Sequence, residues 1–133
     1  NMNLLSSLKI KTGPWPSFAT DNMPLILPVL IKLPGKSQIE ETIFSNRFMA
    51  APELNRMGAS IRVKKNIATI VGQKKLRGAD CISSDLRTTF SIILGAIASK
   101  GESKIARIYH GLRGYYNLEA KLKKIGIKIK SKN

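Results

Sequence analysis

The sequence predicts an α+β fold in which helices and strands alternate and one supersecondary unit occurs twice. Three observations carry this expectation. Apolar residues recur at helical spacing in Leu86, Phe90, Ile93, Leu94 and Ile97, but form short runs in Ile61–Val63 and Ile67–Val71. The chain has 133 residues, 43% of them hydrophobic, which suits one domain with a real core and excludes wholesale disorder. Finally, a shift of 66 residues lays Gly35 on Gly101, Ser37 on Ser103, Ile39 on Ile105 and Arg47 on Arg113.

Taken in order, the opening residues 1–11 read as an edge segment with an apolar patch of Leu4, Leu5, Leu8 and Ile10. Thr12-Gly13-Pro14-Trp15-Pro16 is a loop, because two prolines and a glycine break both helix and central strand. Thr20-Asp21-Asn22 offers caps for a helix with Pro24 in its first turn, which Pro28 keeps short or kinked and Pro34-Gly35 closes. Gln38–Phe44 is strand-like. A short helix over about Ala51–Met57 ends at Gly58, and Ile61–Val63 and Ile67–Val71 form a hairpin around Lys64-Lys65-Asn66. Ser84 or Asp85 caps the long helix that Gly101 ends. Ser103–Tyr109 reads as a strand, Gly114–Lys124 as a helix and Gly126–Lys130 as a final strand.

After a two-residue slip the repeat continues: Leu54 meets Leu122, Gly58 meets Gly126 and Ile61 meets Ile129. The matches fall on turn glycines, inward strand positions and a loop arginine, where repetition has a physical cause. Two units follow, over about 20–72 and 84–130. Within residues 12–133 they form one domain portion, and an apolar sheet face on each must be buried against a copy of itself.

Composition excludes several classes. One cysteine, Cys81, excludes a disulfide framework or a cysteine-built metal site, and one histidine, His110, excludes a multi-histidine one. No cofactor or metal is called for. Apolar runs stay well short of the roughly 20 residues that span a bilayer, so a cytoplasmic setting away from membranes is expected. The net charge of +15 attracts anions, yet 16 of the 23 cations are lysines, as a solvated surface would also provide. The densest group is Lys121, Lys123, Lys124, Lys128, Lys130 and Lys132. A basic module for nucleic acid or acidic surfaces is therefore the alternative reading. Against it, Trp15, Tyr109, Tyr115 and Tyr116 are not interleaved with basic residues at strand period and read as packing residues, as His110 reads as a structural strand-end residue.

The repeat sets Asp21, Arg47, Asp85, Arg87 and Arg113 at corresponding element ends. Arginine forks suit phosphate and carboxylate, and an aspartate can take a proton. The same residues could equally be helix caps and surface ion pairs.

Six ordered motifs bear on that choice: Thr12-Gly13-Pro14-Trp15-Pro16 with Thr20-Asp21; Glu41-Thr42-Ile43-Phe44-Ser45-Asn46-Arg47-Phe48-Met49; Pro52-Glu53-Leu54-Asn55-Arg56-Met57-Gly58-Ala59; Leu76-Arg77-Gly78-Ala79; Ser84-Asp85-Leu86-Arg87; and Arg107-Ile108-Tyr109-His110 with Arg113-Gly114-Tyr115. Through them the chain resembles the bacterial UDP-N-acetylglucosamine 1-carboxyvinyltransferase family of enolpyruvyl transferases, from Thr12 to about Ile129. The Glu-Thr-Ile-Phe-x-Asn-Arg-Phe-Met pattern sets it apart from the 5-enolpyruvylshikimate-3-phosphate synthases.

The resemblance implies repeated βαβ-type units of an inside-out α/β barrel, incomplete here. It implies transfer of an enolpyruvyl group from phosphoenolpyruvate to the 3-hydroxyl of UDP-N-acetylglucosamine, with release of phosphate, in peptidoglycan synthesis. Asp21 then matches the aspartate on the sugar hydroxyl, its proposed general base, and Ile43 a nucleotide-sugar contact. Arg87 and Arg113 match arginines that bind the phosphate and carboxylate of phosphoenolpyruvate, Arg47 a further cleft arginine, and Asp85 a supporting aspartate. The family's N-terminal part, with a Lys-Asn pair and a loop carrying the general acid, has no counterpart in these residues. Cys81 is not that acid and reads as a small buried side chain. The isolated chain is expected to be inactive and to need a complementary N-terminal part.

Overall fold

The computed structural model describes residues 6–132. Leu4 and Leu5 of the apolar patch, and the first part of the expected edge segment, lie outside the described residues. Strand β1 (Lys9–Lys11) pairs parallel with β2 (Lys36–Glu40), and Ile10 sits opposite Ile39. β4 (Ile67–Val71) lies antiparallel on the other side of β2 and carries β3 (Ser60–Lys64), so the order is β1-β2-β4-β3. The expected hairpin is present, with Lys65 at positive φ in its turn. A second sheet holds β5 (Asp80–Ile82) parallel to β6 (Lys104–Ala106).

The helices are α1 (Met23–Leu30), α2 (Ala50–Arg56), α3 (Leu86–Ile97), α4 (Tyr109–Leu112) and α5 (Leu118–Lys124). α1 packs on α3, and Met23, Leu27, Leu30, Ile39, Leu54, Met57, Ile70 and Ile92 are all fully buried in the main core. Pro28 has no N–H, so the carbonyl of Pro24 loses its helical partner. The buried Ser91 hydroxyl of α3 donates to that carbonyl at 2.6 Å, which joins the two helices and satisfies the orphaned acceptor. A smaller cluster, Ile93 with Leu118 and Leu122, sits under α5. No helix among the described residues is long and apolar enough to cross a membrane.

Positions that the sequence shift pairs share backbone conformation. Gly35, Gly101, Gly58 and Gly126 all have positive φ, the region that a Cβ disfavours. α2 and α5 end in the same motif: Ala59 N–H reaches Leu54 C=O at 3.1 Å, and Ile127 N–H reaches Leu122 C=O at 3.0 Å. The units also share corners that include the strand before each helix. Leu8 N–H donates to Ser37 Oγ and Ala79 N–H to Ser103 Oγ, while Thr12 N–H meets Glu40 C=O and Ser83 N–H meets Ala106 C=O.

Several boundaries differ from expectation. The strand expected over Gln38–Phe44 stops at Glu40: Thr42 N–H bonds Thr12 Oγ1, and the Ile43 and Phe44 N–H groups bond the Glu41 side chain. That over Ser103–Tyr109 stops at Ala106: Arg107 has φ +59, and Tyr109–Leu112 is helical, which puts His110 in α4 and not at a strand end. The last helix begins only at Leu118, after Asn117 at φ +52. Gly126–Lys130 is not a strand. In the first unit β4 ties β3 to β2, and among the described residues no strand pairs with Gly126–Lys130. Cys81 is buried on β5, as expected, and its thiol is pushed up to about 11 by burial and by the neighbouring Glu53 carboxylate. The aromatic residues divide. Tyr115 stacks on Phe90 with centroids 4.6 Å apart, whereas Trp15 is 94% exposed and Tyr116 and Tyr109 are exposed too, so these three are not the packing residues expected.

Candidate anion-binding site

An open cavity of about 620 Å³ lies where the loop before α1, the loop after β2 and the first turn of α3 meet. Gly13, Pro14, Ile43 and Phe44 line it together with Thr20, Asp21, Arg47 and Arg87. Asp21 and Arg47 are 26 residues apart, and Asp21 and Arg87 are 66 apart.

Each polar side chain is brought there by a local cause. Thr20–Asn22 forms a 3-10 turn leading into α1, and none of its side chains caps a helix, contrary to expectation. The Asp21 carboxylate instead faces two guanidinium groups. Arg47 Nη2 is 3.1 Å from Asp21 Oδ1, and Arg87 Nη2 is 2.6 Å from Asp21 Oδ2. Arg47 is the more enclosed partner, with its guanidinium 4.6 Å above the Phe44 ring and its Nε donating to Thr20 Oγ1 at 3.2 Å. Asp21 is more than half exposed, so these pairs orient more than they stabilise.

Arg87 is aimed by Asp85, the N-cap of α3. Asp85 Oδ1 accepts from the Arg87 and Thr88 N–H groups, and Oδ2 from the Thr88 and Ser84 hydroxyls. Burial alone would raise the Asp85 pKa, but these donors outweigh it and hold the carboxyl below its ordinary value. All four contacts are committed to the cap, and Asp85 does not line the cavity.

Arg113 follows α4, whose turn presses on the start of α3. A Cβ on Gly111 would come within 2.3 Å of Thr89 Cγ2, and one on Gly114 within 2.4 Å of Leu86 Cδ1. Arg113 is exposed and lies outside the cavity lining. Of the six residues singled out in the sequence, the structure thus gathers Asp21, Ile43, Arg47 and Arg87 and leaves Asp85 and Arg113 out of that lining.

Two contributors had no stated role in the sequence: Phe44, under Arg47, and Glu41, behind the site. Glu41 is 3% exposed and accepts from Thr12 Oγ1, Ile43 N–H, Phe44 N–H and Thr20 Oγ1. Desolvation would raise its pKa, but the Ile43 amide, the Thr12 hydroxyl and the other donors prevail and lower it. A charged residue two places after inward-facing Ile39, at an expected inward strand position, was the available signal. Among the described residues no group of three or more His, Cys, Asp or Glu could hold a metal ion.

Comparison with known proteins places this geometry in context. Over 129 residues the chain is 48% identical to a UDP-N-acetylglucosamine 1-carboxyvinyltransferase of Pelagibacter ubique, covering 97% of this chain and 31% of that protein. It is 47% identical over 125 residues to the protein of the same name from Campylobacter jejuni, covering 94% and 30%. The chain thus spans about 30% of the length of these relatives. The enolpyruvyl transferase NikO of Streptomyces tendae superposes with a TM-score of 0.88 at 26% identity, over 95% of this chain and 29% of its own. An EPSP synthase of Acinetobacter baumannii has a TM-score of 0.67 at 18% identity over 96% and 28%, a likeness of fold alone. Residues 3–122 match the family described as EPSP synthase (3-phosphoshikimate 1-carboxyvinyltransferase), and the chain belongs to that family, as part of its enolpyruvyl transferase fold.

Proposed function

We propose that this chain forms one wall of the active-site cleft of a UDP-N-acetylglucosamine 1-carboxyvinyltransferase, which moves an enolpyruvyl group from phosphoenolpyruvate to the sugar 3-hydroxyl in peptidoglycan synthesis. The observation that carries this reading is the Asp21 carboxylate bridged by Arg47 and Arg87 beside Ile43. The relatives' names supply the substrates.

In this reading Asp21 accepts the proton of the 3-hydroxyl and Ile43 packs on the nucleotide sugar. Arg87 and Arg113 hold the phosphate and carboxylate of phosphoenolpyruvate, with Arg47 adding a third positive charge. Asp85 acts through Arg87, as its positioning residue. An arriving phosphate competes with Asp21 for Arg87, so occupancy of the anion site frees one carboxylate oxygen to take the proton. Preformed donors of this kind stabilise charge that shifts during addition and elimination. The opposite wall, including the general acid, comes from a complementary N-terminal part, and the compartment is the bacterial cytoplasm.

The test joins the chain to the N-terminal part of the Pelagibacter ubique relative and measures phosphate release. Activity is expected in the joined protein and not in the chain alone. Asp21→Ala and Arg113→Ala should each lower it by about a hundredfold or more, the scale for losing one preorganised catalytic group. Full activity in both variants would overturn the site assignment.

A further inference from the structure

We infer that Glu41 is a positioning residue for the nucleotide-sugar side of the cleft, acting on Asp21 through Thr20 and Arg47 and on Ile43 through its backbone; this rests on the function proposed above. An ionised carboxylate only accepts, so every neighbour must point a donor at it. Glu41 Oε2 takes the Thr20 hydroxyl hydrogen at 2.9 Å, which turns the Thr20 lone pairs towards Arg47 Nε at 3.2 Å. Arginine only donates, so the sequence of bonds has one possible polarity and ends with Arg47 Nη2 on Asp21 Oδ1 at 3.1 Å. On the other oxygen, the Ile43 N–H at 2.8 Å and the Phe44 N–H at 3.2 Å bond Glu41, which fixes the backbone of two residues that line the cavity.

The second repeat unit shows that the fold itself does not require this carboxylate. Ile39 corresponds to Ile105, so Glu41 corresponds to Arg107, which is exposed. The Thr12 corner recurs at Ser83, which still bonds Ala106 C=O with no buried acid beside it. The corner is common to both units. The buried carboxylate occurs only in the unit whose corner lines the cavity.

Glu41→Gln keeps the shape and reverses one bond. With its amide nitrogen towards Thr20, the Thr20 oxygen must accept from both Gln and Arg47, and its own hydrogen loses its partner. Thr20→Val removes the middle link alone and leaves the Ile43 and Phe44 amides on Glu41. Both variants of the 133-residue chain can be followed by NMR, reading hydrogen exchange at Arg47 Nε–H with Arg113 Nε–H as reference, and then titrating UDP-N-acetylglucosamine. About tenfold faster exchange at Arg47 and about tenfold weaker binding are expected in each variant, the scale for one charge-assisted hydrogen bond. The Ile43 and Phe44 amides should shift in Glu41→Gln only. Unchanged Arg47 exchange in both variants overturns the inference, as does a freed Arg47 with wild-type affinity. A wild-type chain that fails to bind the sugar nucleotide counts against the proposed function, and the exchange measurement then decides the Glu41 inference by itself.

Discussion

Gly111→Ala tests how the Arg113 turn is seated on α3. Gly111 is buried and not at positive φ, so the backbone tolerates alanine there and the whole effect is steric. The added Cβ would lie 2.3 Å from Thr89 Cγ2 and 2.7 Å from Thr89 Cβ, where ordinary contact begins near 3.4 Å. The shortfall is about 1.1 Å against the closer atom. Thr89 cannot swing aside: it is fully buried, β-branched, and its hydroxyl is tied to Asp85 C=O at 2.6 Å and to Ser83. The α4 turn must therefore move, and Arg113, which follows it, moves too. Overpacking on this scale costs about 1–3 kcal/mol, which for a domain of this size lowers the melting temperature by roughly 4–12 °C. Thermal unfolding followed by circular dichroism measures it, with Thr89→Ser as the partner in a double-mutant cycle. Removing Cγ2 should recover part of the loss in the Gly111→Ala background, giving a favourable coupling. Equal melting of Gly111→Ala and wild type, or strict additivity with Thr89→Ser, would refute the steric account.

Two further outcomes follow from the same structure. Ser91→Ala leaves the Pro24 carbonyl buried and unpaired, so urea unfolding should show a loss of about 1–3 kcal/mol, and a loss below half a kcal/mol would mean that the carbonyl finds another donor. Glu41 and Asp85 both have pKa values below their ordinary ones, so between the folded and unfolded values the folded state binds fewer protons. Their contribution is complete above the unfolded values of about 4.3 and 3.9 and is lost as pH falls through the folded ones. The urea midpoint should therefore drop below about pH 4, and less steeply in Glu41→Gln; parallel curves would remove Glu41 as a source.

Some of the chemistry was legible in the sequence because its causes are short-ranged. Gly35, Gly58, Gly101 and Gly126 stand where the backbone needs positive φ, and Gly58 and Gly126 close α2 and α5 with the same bond. Asp85 could be read as a cap because its acceptors face N–H groups two and three residues away. The motifs that contain Asp21, Ile43, Arg47 and Arg87 named residues that the fold brings to one cavity. The reading failed where a partner distant in sequence decides. Gly126–Lys130 has the apolar alternation of a strand, but a strand exists only where another can take its hydrogen bonds, and among the described residues none pairs with it.

The sequence by itself thus determined the turn glycines, the long capped helix and which side chains carry charge. Tertiary structure alone decided what those charges do: that Asp21 leaves the helix end to bridge two arginines, that Arg113 stands outside the cavity lining, and that Glu41 is buried behind it. The physical reason is range. Backbone conformation and capping depend on a few neighbouring residues, whereas the partner of a carboxylate is chosen by whichever donors packing brings within about 3 Å.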